Sequence, residues 1–582
     1  MPQTCSDNFA GEKACLQIVF TCWEIKGCIN QLSRLAESLY PVLHQRGYSF
    51  YYPQSPYQMA VTLKTTLKDI PTALVRSSRL SSRVNAYSHA KTDRIVNQIT
   101  ELGRQCELTE PELVAQDAWG RRADTLRVCD EWKELKKIMA EEGLVAIGYD
   151  STREASHRRI HQTVKLMLFG PSSGLTSCPL AMTDGAAKTF QALSLHTSHP
   201  AAKEAYERLI KKKGGSDVGG ACDTYAYLLN GYKWFSSAID ADVALTLARV
   251  VDESGEAVEG SKGLSLFLVR LKDEKGQLNG IQMMRLKDKM GTRQLPTAEL
   301  LLEGVKGTLL SPVGRGIPSI ANMLNVTRLH NAAASVGYMR RMVSLARDYS
   351  SRRAVFGRLQ KDWPLHTRTL ADLEVEVRAC TLFLLDIARL VGLQESMKAT
   401  RDELLVARLL TPVLKAYTAK VCVPLVTPIW EGTTNVLSLD VLRVMAGKEN
   451  VVAAFANVVK RLVGDSNRSA DTRVSSSARA VLEGVSSLAS TVSKLGDSSL
   501  SDSVRVDSGA RQVMMSLGRI YCGALLTNAA AAKDSSTAEI VSAFRYCTER
   551  PLVSMDVASF SKSRIDDDKT IVFENFTLTS KL

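Results

Sequence analysis

The sequence predicts an α+β protein, in which a helical N-terminal domain, a middle antiparallel β domain and a C-terminal helical bundle follow one another. Apolar residues recur three or four positions apart after Asp93, give way to short alternating runs between about 224 and 305, and return to helical spacing from Ile317. With 582 residues, of which 45% are apolar and 23% charged, the chain can form several packed units.

The first helical domain is placed at residues 91–180, and residues 1–90 show no pattern that assigns a fold. The clearest helix has Trp132, Leu135 and Met139 on one face, behind a possible N-cap at Asp130. We expect this segment to end at Gly143.

The middle β domain is placed at residues 181–306. Four apolar or alternating runs predict its strands: Tyr225 to Leu229, Val243 to Val250, Leu264 to Val269 and Ala298 to Leu302. Asn230-Gly231, Gly255 and Gly263 separate the runs, and they predict turns.

The C-terminal bundle is placed at residues 307–447 and a further helical extension at 448–582. Amphipathic stretches predict helices from Ile317 to Tyr349, from Pro364, and from Asp402 to Val421. The extension is rich in serine and alanine, and it predicts helices at 450–463, 475–495 and 508–532.

Charge and cysteine usage exclude several classes of protein. Lysine and arginine number 74 against 61 acidic residues, a net charge of +13, but they are scattered among acidic neighbours, which favours a solvated surface over a nucleic-acid-binding face. The 12 cysteines occur singly, so we expect reduced thiols and neither disulfides nor a metal site. No apolar run has the length of a membrane span.

The chain ends in Ser580-Lys581-Leu582. A C-terminal SKL tripeptide is read by the peroxisomal import receptor. The polar stretch around Asp566 to Asp568 favours an accessible tail. The sequence therefore predicts a peroxisomal protein.

Four segments carry a resemblance because they keep a common order along the chain. They are Gly231-Tyr-Lys-Trp-Phe-Ser-Ser237, preceded by Gly214-Gly-Ser-Asp-Val218; Lys287-Asp-Lys-Met-Gly-Thr-Arg293; Tyr349-Ser-Ser-Arg-Arg-Ala-Val-Phe-Gly357; and Pro428-Ile-Trp-Glu-Gly-Thr-Thr-Asn-Val436. Over residues 90–450 the chain resembles the acyl-CoA dehydrogenase family, and most of all its AidB-like branch. The resemblance implies an N-terminal helical domain, a middle antiparallel β-barrel and a C-terminal helical bundle. It also implies FAD-dependent α,β-dehydrogenation of a fatty acyl-CoA.

By this resemblance Glu431 is the catalytic base. A carboxylate removes the α-proton of the thioester while the β-hydrogen leaves as hydride to the flavin N5. Pro428 to Trp430 can exclude water around the carboxylate, and Gly432 lets the backbone approach a ligand. The alternative is a glutamate favoured by the dipole at the start of a helix; the flanking motif favours the base.

The resemblance assigns a further set of residues to FAD. In chain order they are Gly214, Gly215, Ser216, Phe235, Ser236, Ser237, Arg353, Phe356, Gly432, Thr433 and Asn435. Glycines expose backbone N–H donors to phosphates, an aromatic ring can pack on the isoalloxazine, and a serine can hydrogen-bond near N5 or O4. Ordinary turns, a buried strand aromatic and helix capping are the alternatives.

Arg353 and Phe356 match the position that reaches the flavin pyrophosphate of a neighbouring subunit. Guanidinium suits phosphate through paired hydrogen bonds. The alternative is a surface arginine on a basic helix. The match implies a homodimer or homotetramer.

The sequence departs from the family at two places. The Met-Thr-Glu-like segment that usually precedes the Gly-Gly-Ser-Asp loop is absent, because the loop follows Arg208 to Lys213 directly. The Gly-Gly-x-Gly-Tyr loop that usually precedes the Trp-Glu-Gly motif is also absent, because Tyr417 to Val423 leads almost at once into Pro424 to Trp430.

Three functions follow from these observations. The first is the FAD-dependent dehydrogenase with Glu431 as base. The second is a catalytically impaired AidB-like protein that binds fatty acid or acyl-CoA and has lost its flavin contacts. The third, nucleic-acid association, is suggested by the AidB-like branch, but the near balance of charge in residues 448–582 speaks against it.

Overall fold

The computed structural model describes residues 89–210, 227–252, 254–273, 276–422, 427–496, 503–555 and 562–573. They form two compact units. The described residues of the first lie in 89–151 and 165–330, and those of the second in 152–164 and 331–573. The α+β class, with an antiparallel sheet between helical regions, is confirmed.

The first unit begins with a helix, a hairpin and a second helix. They are α1 (His89–Leu108), β1 (Glu112–Gln116), β2 (Arg122–Arg127) and α2 (Asp130–Glu141). The hairpin was not predicted, because its short strands are mostly exposed and carry little apolar alternation. Asp130 is the first helical residue rather than the N-cap, which is Cys129. Trp132 is buried and donates to Asp240 Oδ2 at 2.8 Å.

Helices continue up to the first gap in the described residues. They are α3 (Ala155–Phe169), α4 (Ser177–Ala192), α5 (Leu195–Ser198) and α6 (Pro200–Leu209). The predicted start of the β domain at residue 181 therefore lies inside α4. The described strands of that domain begin only at Tyr227.

Five antiparallel strands form the sheet of the first unit. They are β3 (Tyr227–Ser237), β4 (Val243–Arg249), β5 (Leu264–Arg270), β6 (Ile281–Leu286) and β7 (Thr297–Leu309), in the order β3-β7-β5-β4 with β6 also paired to β7. Strand β5 is buried on both faces: Phe267 and Val269 pack within the sheet core, whereas Leu266 and Leu268 pack against Phe190 of α4. This double burial explains the continuous apolar run in its sequence.

Asn230-Gly231 does not form the predicted turn. Strand β3 runs through both residues, with Gly231 at a φ of +127° and an irregular register between Leu229 and Gly231. The turn signal therefore marks a β-bulge inside one long strand.

The second unit is a helical bundle with one short hairpin. Its elements are the C-terminal part of α7 (Gly316–Ser350), β8 (Ala354–Val355), β9 (Arg358–Leu359), α8 (Pro364–Glu395), α9 (Arg401–Cys422), α10 (Thr434–Met445), α11 (Val451–Val463), α12 (Thr472–Gly496), α13 (Ser503–Ala530), α14 (Thr537–Thr548) and α15 (Lys562–Phe573). Helix α9 packs against α8, α10, α11 and α13, and most of its length is buried. The predicted helices of the bundle and extension are confirmed.

A buried ion pair fastens α3 to the end of α8. Arg159 is 1% exposed and donates from Nε and Nη2 to both Glu395 carboxylate oxygens at 2.8 Å. Across the described ranges, no helix is long and apolar enough to cross a membrane, and no three metal-ligating side chains gather at one point.

Candidate active site

A β-bulge near the end of β3 presents two aromatic side chains. Lys233 pairs with Leu300 and Ser236 with Ala298, so β3 has one residue more than β7 between these pairs. Trp234 and Phe235, which lie in this interval, are 51% and 49% exposed. An extra residue re-aims side chains that would otherwise alternate between the faces. The bulge therefore leaves two consecutive aromatic rings partly open to solvent.

A lysine and a carboxylate flank these rings. Lys287 Nζ lies 3.5 Å from the centroid of the Trp234 ring and 2.5 Å from Glu299 Oε1. Burial raises the pKa of Glu299, but hydrogen bonds from Arg285 and Lys287 outweigh this effect and hold the pKa below its usual value. The tryptophan face is thus held beside a fixed positive charge.

Ser237, the last residue of β3, lies opposite Thr297, the first residue of β7. The two hydroxyl oxygens are 2.9 Å apart. Thr297 Oγ1 also accepts a hydrogen bond from Lys289 Nζ at 2.9 Å. Burial lowers the pKa of Lys289 to about 8, opposed by the nearby Cys178. A polar chain of lysine, threonine and serine therefore ends beside the exposed aromatic rings.

In the second unit, Glu431 lies in a tight turn three residues before the start of α10. Its φ is +58°, and that of Gly432 is +103°. A non-glycine residue in the left-handed region costs about 1–2 kcal/mol, so other contacts must stabilise the turn. At Gly432 a Cβ would lie 3.0 Å from Leu437 Cδ2, and the left-handed φ disfavours other residues there.

Lys415 of α9 holds this turn from inside the bundle. The side chain is 0% exposed, and its Nζ donates to Gly432 O at 2.5 Å and more weakly to Pro428 O at 3.4 Å. These carbonyls lie on either side of Glu431. A buried ammonium is therefore paired with the backbone of the turn that carries the predicted base.

Thr433 and Asn435 follow at the start of α10. Thr433 is the N-cap, with its Oγ1 accepting from Val436 N at 3.5 Å, so it caps the helix, and its role toward FAD stays a prediction. Asn435 is exposed and lines a cavity of about 500 Å³ with Ser438 and Leu439 and with residues of α13 and α15.

Arg353 and Phe356 belong to the β8–β9 hairpin. Phe356 is 89% exposed at the turn, with a φ of +50° followed by +77° at Gly357. The Arg358 guanidinium lies 4.8 Å from the centroid of the Trp363 ring, which stiffens the base of the hairpin. The Phe356 ring meets the Trp363 ring edge to face, with the centroids 6.2 Å apart, although most of its surface stays exposed.

The comparisons with known proteins cover most of the chain. Residues 62–213 match the adaptive response protein AidB N-terminal domain, 209–305 the acyl-CoA dehydrogenase middle domain, 314–427 the acyl-CoA dehydrogenase C-terminal domain, and 450–573 the acyl-CoA dehydrogenase 11 C-terminal domain-like model. Acyl-CoA dehydrogenase family member 11 of Caenorhabditis elegans is 50% identical over 541 residues, which are 84% of this chain and 87% of the relative. The chain belongs to the acyl-CoA dehydrogenase family.

Other relatives agree with this acyl-CoA dehydrogenase assignment. AidB of Escherichia coli strain K12 is 28% identical over 398 residues, 59% of this chain and 71% of AidB. The crystal structure of Caenorhabditis elegans ACDH-11 in complex with C11-CoA matches with a TM-score of 0.83 and 47% identity, covering 88% of this chain and 95% of that one. The apo form of Bd2924 matches with a TM-score of 0.67 and 33% identity, covering 80% and 96%. The chain is thus an oxidoreductase of the AidB-like kind, as the sequence predicted.

The structure brings the predicted residues of this acyl-CoA dehydrogenase together in three groups. Phe235 to Ser237 lie at the bulge of β3, Glu431 to Asn435 at the start of α10, and Arg353 with Phe356 on the hairpin. Residues 214–216 and 580–582 lie outside the described residues, as do 423–426 beside the second departure from the family. The assigned roles of all these residues stay predictions.

Two residues that support these groups were missed. Lys289 lies in the quoted segment Lys287 to Arg293, so its place in a family motif was a usable signal. No sequence signal marked Lys415, because a single lysine in a helix is expected to lie in solvent. In the structure it is buried.

The residues described suit a flavin. Two neighbouring, half-exposed aromatic rings offer packing surface for a planar ring system, and the partly buried Ser237 hydroxyl can meet a polar atom on its edge. FAD therefore fits the chemistry of the β3 bulge.

Proposed function

We propose that the chain is an FAD-dependent acyl-CoA dehydrogenase that oxidises a fatty acyl-CoA between its α- and β-carbons. The observation that carries the proposal is the Glu431 turn: a carboxylate held in a left-handed conformation by a buried lysine, in a chain 47% identical to a protein crystallised with C11-CoA. Strained backbone that the surrounding structure holds in place is typical of functional sites.

The proposed reaction balances within the substrate and two acceptors. The Glu431 carboxylate takes the α-proton, and the electron pair of that C–H bond forms the new α,β double bond. The chemistry that a bound FAD supplies is acceptance of the β-hydrogen as hydride. The thioester carbonyl makes the α-proton acidic enough for a carboxylate to remove.

The chain's own residues position and shield these groups. Glu431 precedes α10, and the N-cap of that helix is Thr433. Trp430 and Glu431 are both partly buried, which limits the water that competes for the base. The aromatic rings of the β3 bulge and the Ser237 hydroxyl would hold the isoalloxazine.

The experiment is a flavin spectrum followed by substrate bleaching. The purified chain, incubated with FAD and gel-filtered, is expected to keep about one flavin per subunit and to lose its visible absorbance when C11-CoA is added without oxygen. Glu431→Gln should keep the flavin and lose the bleaching by at least about 10³-fold, since proton abstraction is the step removed. Glu483→Gln, an exposed position on α12, is the matched control.

A second candidate function is supported by the two departures from the family. A chain that lacks two flavin-contacting segments could bind acyl-CoA without oxidising it. In that case the protein would remain colourless after incubation with FAD, C11-CoA would still bind, and Glu431→Gln would bind it equally well. A yellow protein that bleaches excludes this candidate.

We also propose that the chain forms a homodimer or homotetramer through the β8–β9 hairpin. The proposal is supported by the 89% exposure of Phe356 and by its neighbour Arg353, which suits a phosphate of a partner's cofactor. Phe356→Ala is expected to shift the chain toward smaller species in sedimentation. Unchanged sedimentation would contradict the proposal.

Peroxisomal import through Ser580-Lys581-Leu582 is proposed on the sequence alone. A fluorescent protein carrying residues 562–582 at its C-terminus should concentrate in peroxisomes. The same fusion without the last three residues should stay diffuse.

A further inference from the structure

Lys289 occupies a place that the proposed reaction does not use. It lies between β6 and β7 in the family motif, and its Nζ donates to Leu295 O at 2.7 Å and Thr297 Oγ1 at 2.9 Å. An ammonium group has donors only. Thr297 Oγ1 must therefore act as the acceptor in their hydrogen bond.

The direction of the next hydrogen bond follows. Thr297 is 1% exposed, and its hydroxyl has a single proton. Among the described residues, Ser237 Oγ, 2.9 Å away, is the acceptor available to that proton. If Ser237 donated instead, a buried hydroxyl proton would be left without an acceptor, which carries the full desolvation penalty.

Ser237 thus receives a hydrogen bond from Thr297 and must direct its own proton elsewhere. Ser237 is only partly buried, and it lies beside the exposed rings of the β3 bulge. Through two successive hydrogen bonds, the lysine therefore determines that Ser237 accepts from Thr297 and donates its own proton elsewhere.

We propose that Lys289 is a positioning residue, which acts through Thr297 to present the Ser237 hydroxyl as a hydrogen-bond donor to the flavin edge. This inference rests on the proposed function. In oxidised flavin, N5 and the O4 carbonyl are acceptors, so a serine fixed as a donor binds that edge. If Ser237 could also rotate so that its oxygen lone pairs faced N5 and O4, the two sets of acceptors would repel each other and FAD would bind more weakly.

Lys289 is suited to this role because burial lowers its pKa without making the side chain neutral at pH 7. With a pKa of about 8, the side chain is still mostly protonated at neutral pH. Its partners are a carbonyl and a hydroxyl, and no carboxylate is among them. Its protons are thus directed to two fixed oxygens.

The test measures FAD affinity of the apoprotein by quenching of flavin fluorescence. Lys289→Met and Ser237→Ala should each weaken FAD binding about tenfold, corresponding to one lost hydrogen bond. The double variant should be no weaker than Ser237→Ala alone, because the lysine acts only through the serine. Lys262→Met, at an exposed lysine of the same unit, is the control and should bind like the wild type.

A second pair of variants separates orientation from packing. Thr297→Ser keeps the hydroxyl and loses a methyl group, whereas Thr297→Val keeps the shape and loses the hydroxyl. The inference expects Thr297→Ser to retain FAD affinity and Thr297→Val to lose it, and a role in packing alone expects the reverse. This pair decides the question even if Lys289→Met fails to fold.

Failure of FAD binding and failure of the Lys289 role give different results. A wild-type chain that takes up no FAD refutes the proposed function and this inference with it. A wild-type chain that binds FAD while Lys289→Met binds it equally tightly refutes the inference alone. Additive losses in the double variant also refute it, because they show that lysine and serine act separately.

Discussion

Replacing Lys415 by methionine should impair the base without removing it. Methionine has a similar unbranched length but no donor, so Gly432 O loses its hydrogen bond at 2.5 Å. A hydrogen bond to a charged group contributes about 1.5–3 kcal/mol. Removing a desolvated ammonium returns part of that amount. We expect a net loss of about 1–2 kcal/mol in the free energy of unfolding.

The effect on catalysis should be larger. Relaxation of Glu431 from its left-handed backbone is favoured by about 1–2 kcal/mol, and the variant removes one contact that opposes this relaxation. A displacement of about 1 Å at a reacting group costs about 100-fold in rate. The rate of flavin reduction by C11-CoA should therefore fall about 100-fold, whereas KM should change little, because the lysine does not touch the substrate.

The assay is anaerobic stopped-flow bleaching of the FAD-loaded protein, with a melting curve for each variant. Lys420→Met, at an exposed lysine on the same helix, is the matched control. A Lys415→Met variant that folds, holds FAD and reduces it within about threefold of the wild-type rate would refute the positioning argument.

Three further changes test the fold and its charges. Burial lowers the pKa of Lys289 from 10.5 to about 8, so between pH 8 and 10.5 the unfolded chain binds more protons than the folded one. The free energy of unfolding should therefore rise with pH across this range, with Cys178 as the titratable group that faces the lysine. Lys289→Met should abolish this rise in pH-dependent denaturation. Gly185→Ala places a Cβ 2.4 Å from Met323 Cγ and should destabilise by about 1–3 kcal/mol in urea melts, with partial recovery when Met323→Ala is added. Arg159→Met removes the closer of two arginines from the buried Glu395 carboxylate, since Arg158 Nη2 lies 3.9 Å away, and should cost about 3 kcal/mol, more than the double change with Glu395→Gln.

The parts of the fold that the sequence predicted are those with a strong local period. The long helices of the bundle alternate apolar and polar residues every three or four positions, and their bounds agree with the prediction within a few residues. The hairpin Glu112–Arg127 has no such period, because its exposed strands bury little. The Asn230-Gly231 pair had the composition of a turn, but long-range pairing with β7 kept the strand continuous.

The candidate site was predictable only where a motif marks it. Glu431 and its neighbours are contiguous in sequence, so the motif and the turn coincide. Lys415 precedes Gly432 by 17 residues across a change of direction, and nothing in the helix that carries it indicates which carbonyls it meets. The direction of the Ser237 hydroxyl likewise depends on Thr297 at the start of β7 and on Lys289 in the segment before that strand. These contacts exist only in the folded chain.

The two missed lysines do the same physical work on different groups, and this similarity can be tested. Each is an ammonium group that can only donate hydrogen bonds and is at least partly removed from water. Lys289 fixes the direction of a hydroxyl, and Lys415 fixes a backbone turn. Because the two lysines act on different groups, their variants should be impaired in different measurements. Lys289→Met should weaken FAD binding and leave the reduction rate of the loaded protein within a few-fold, whereas Lys415→Met should slow reduction and leave FAD affinity unchanged. If both variants lost FAD affinity and reduction rate to the same extent, the lysines would stabilise the fold in general and would not orient a specific group.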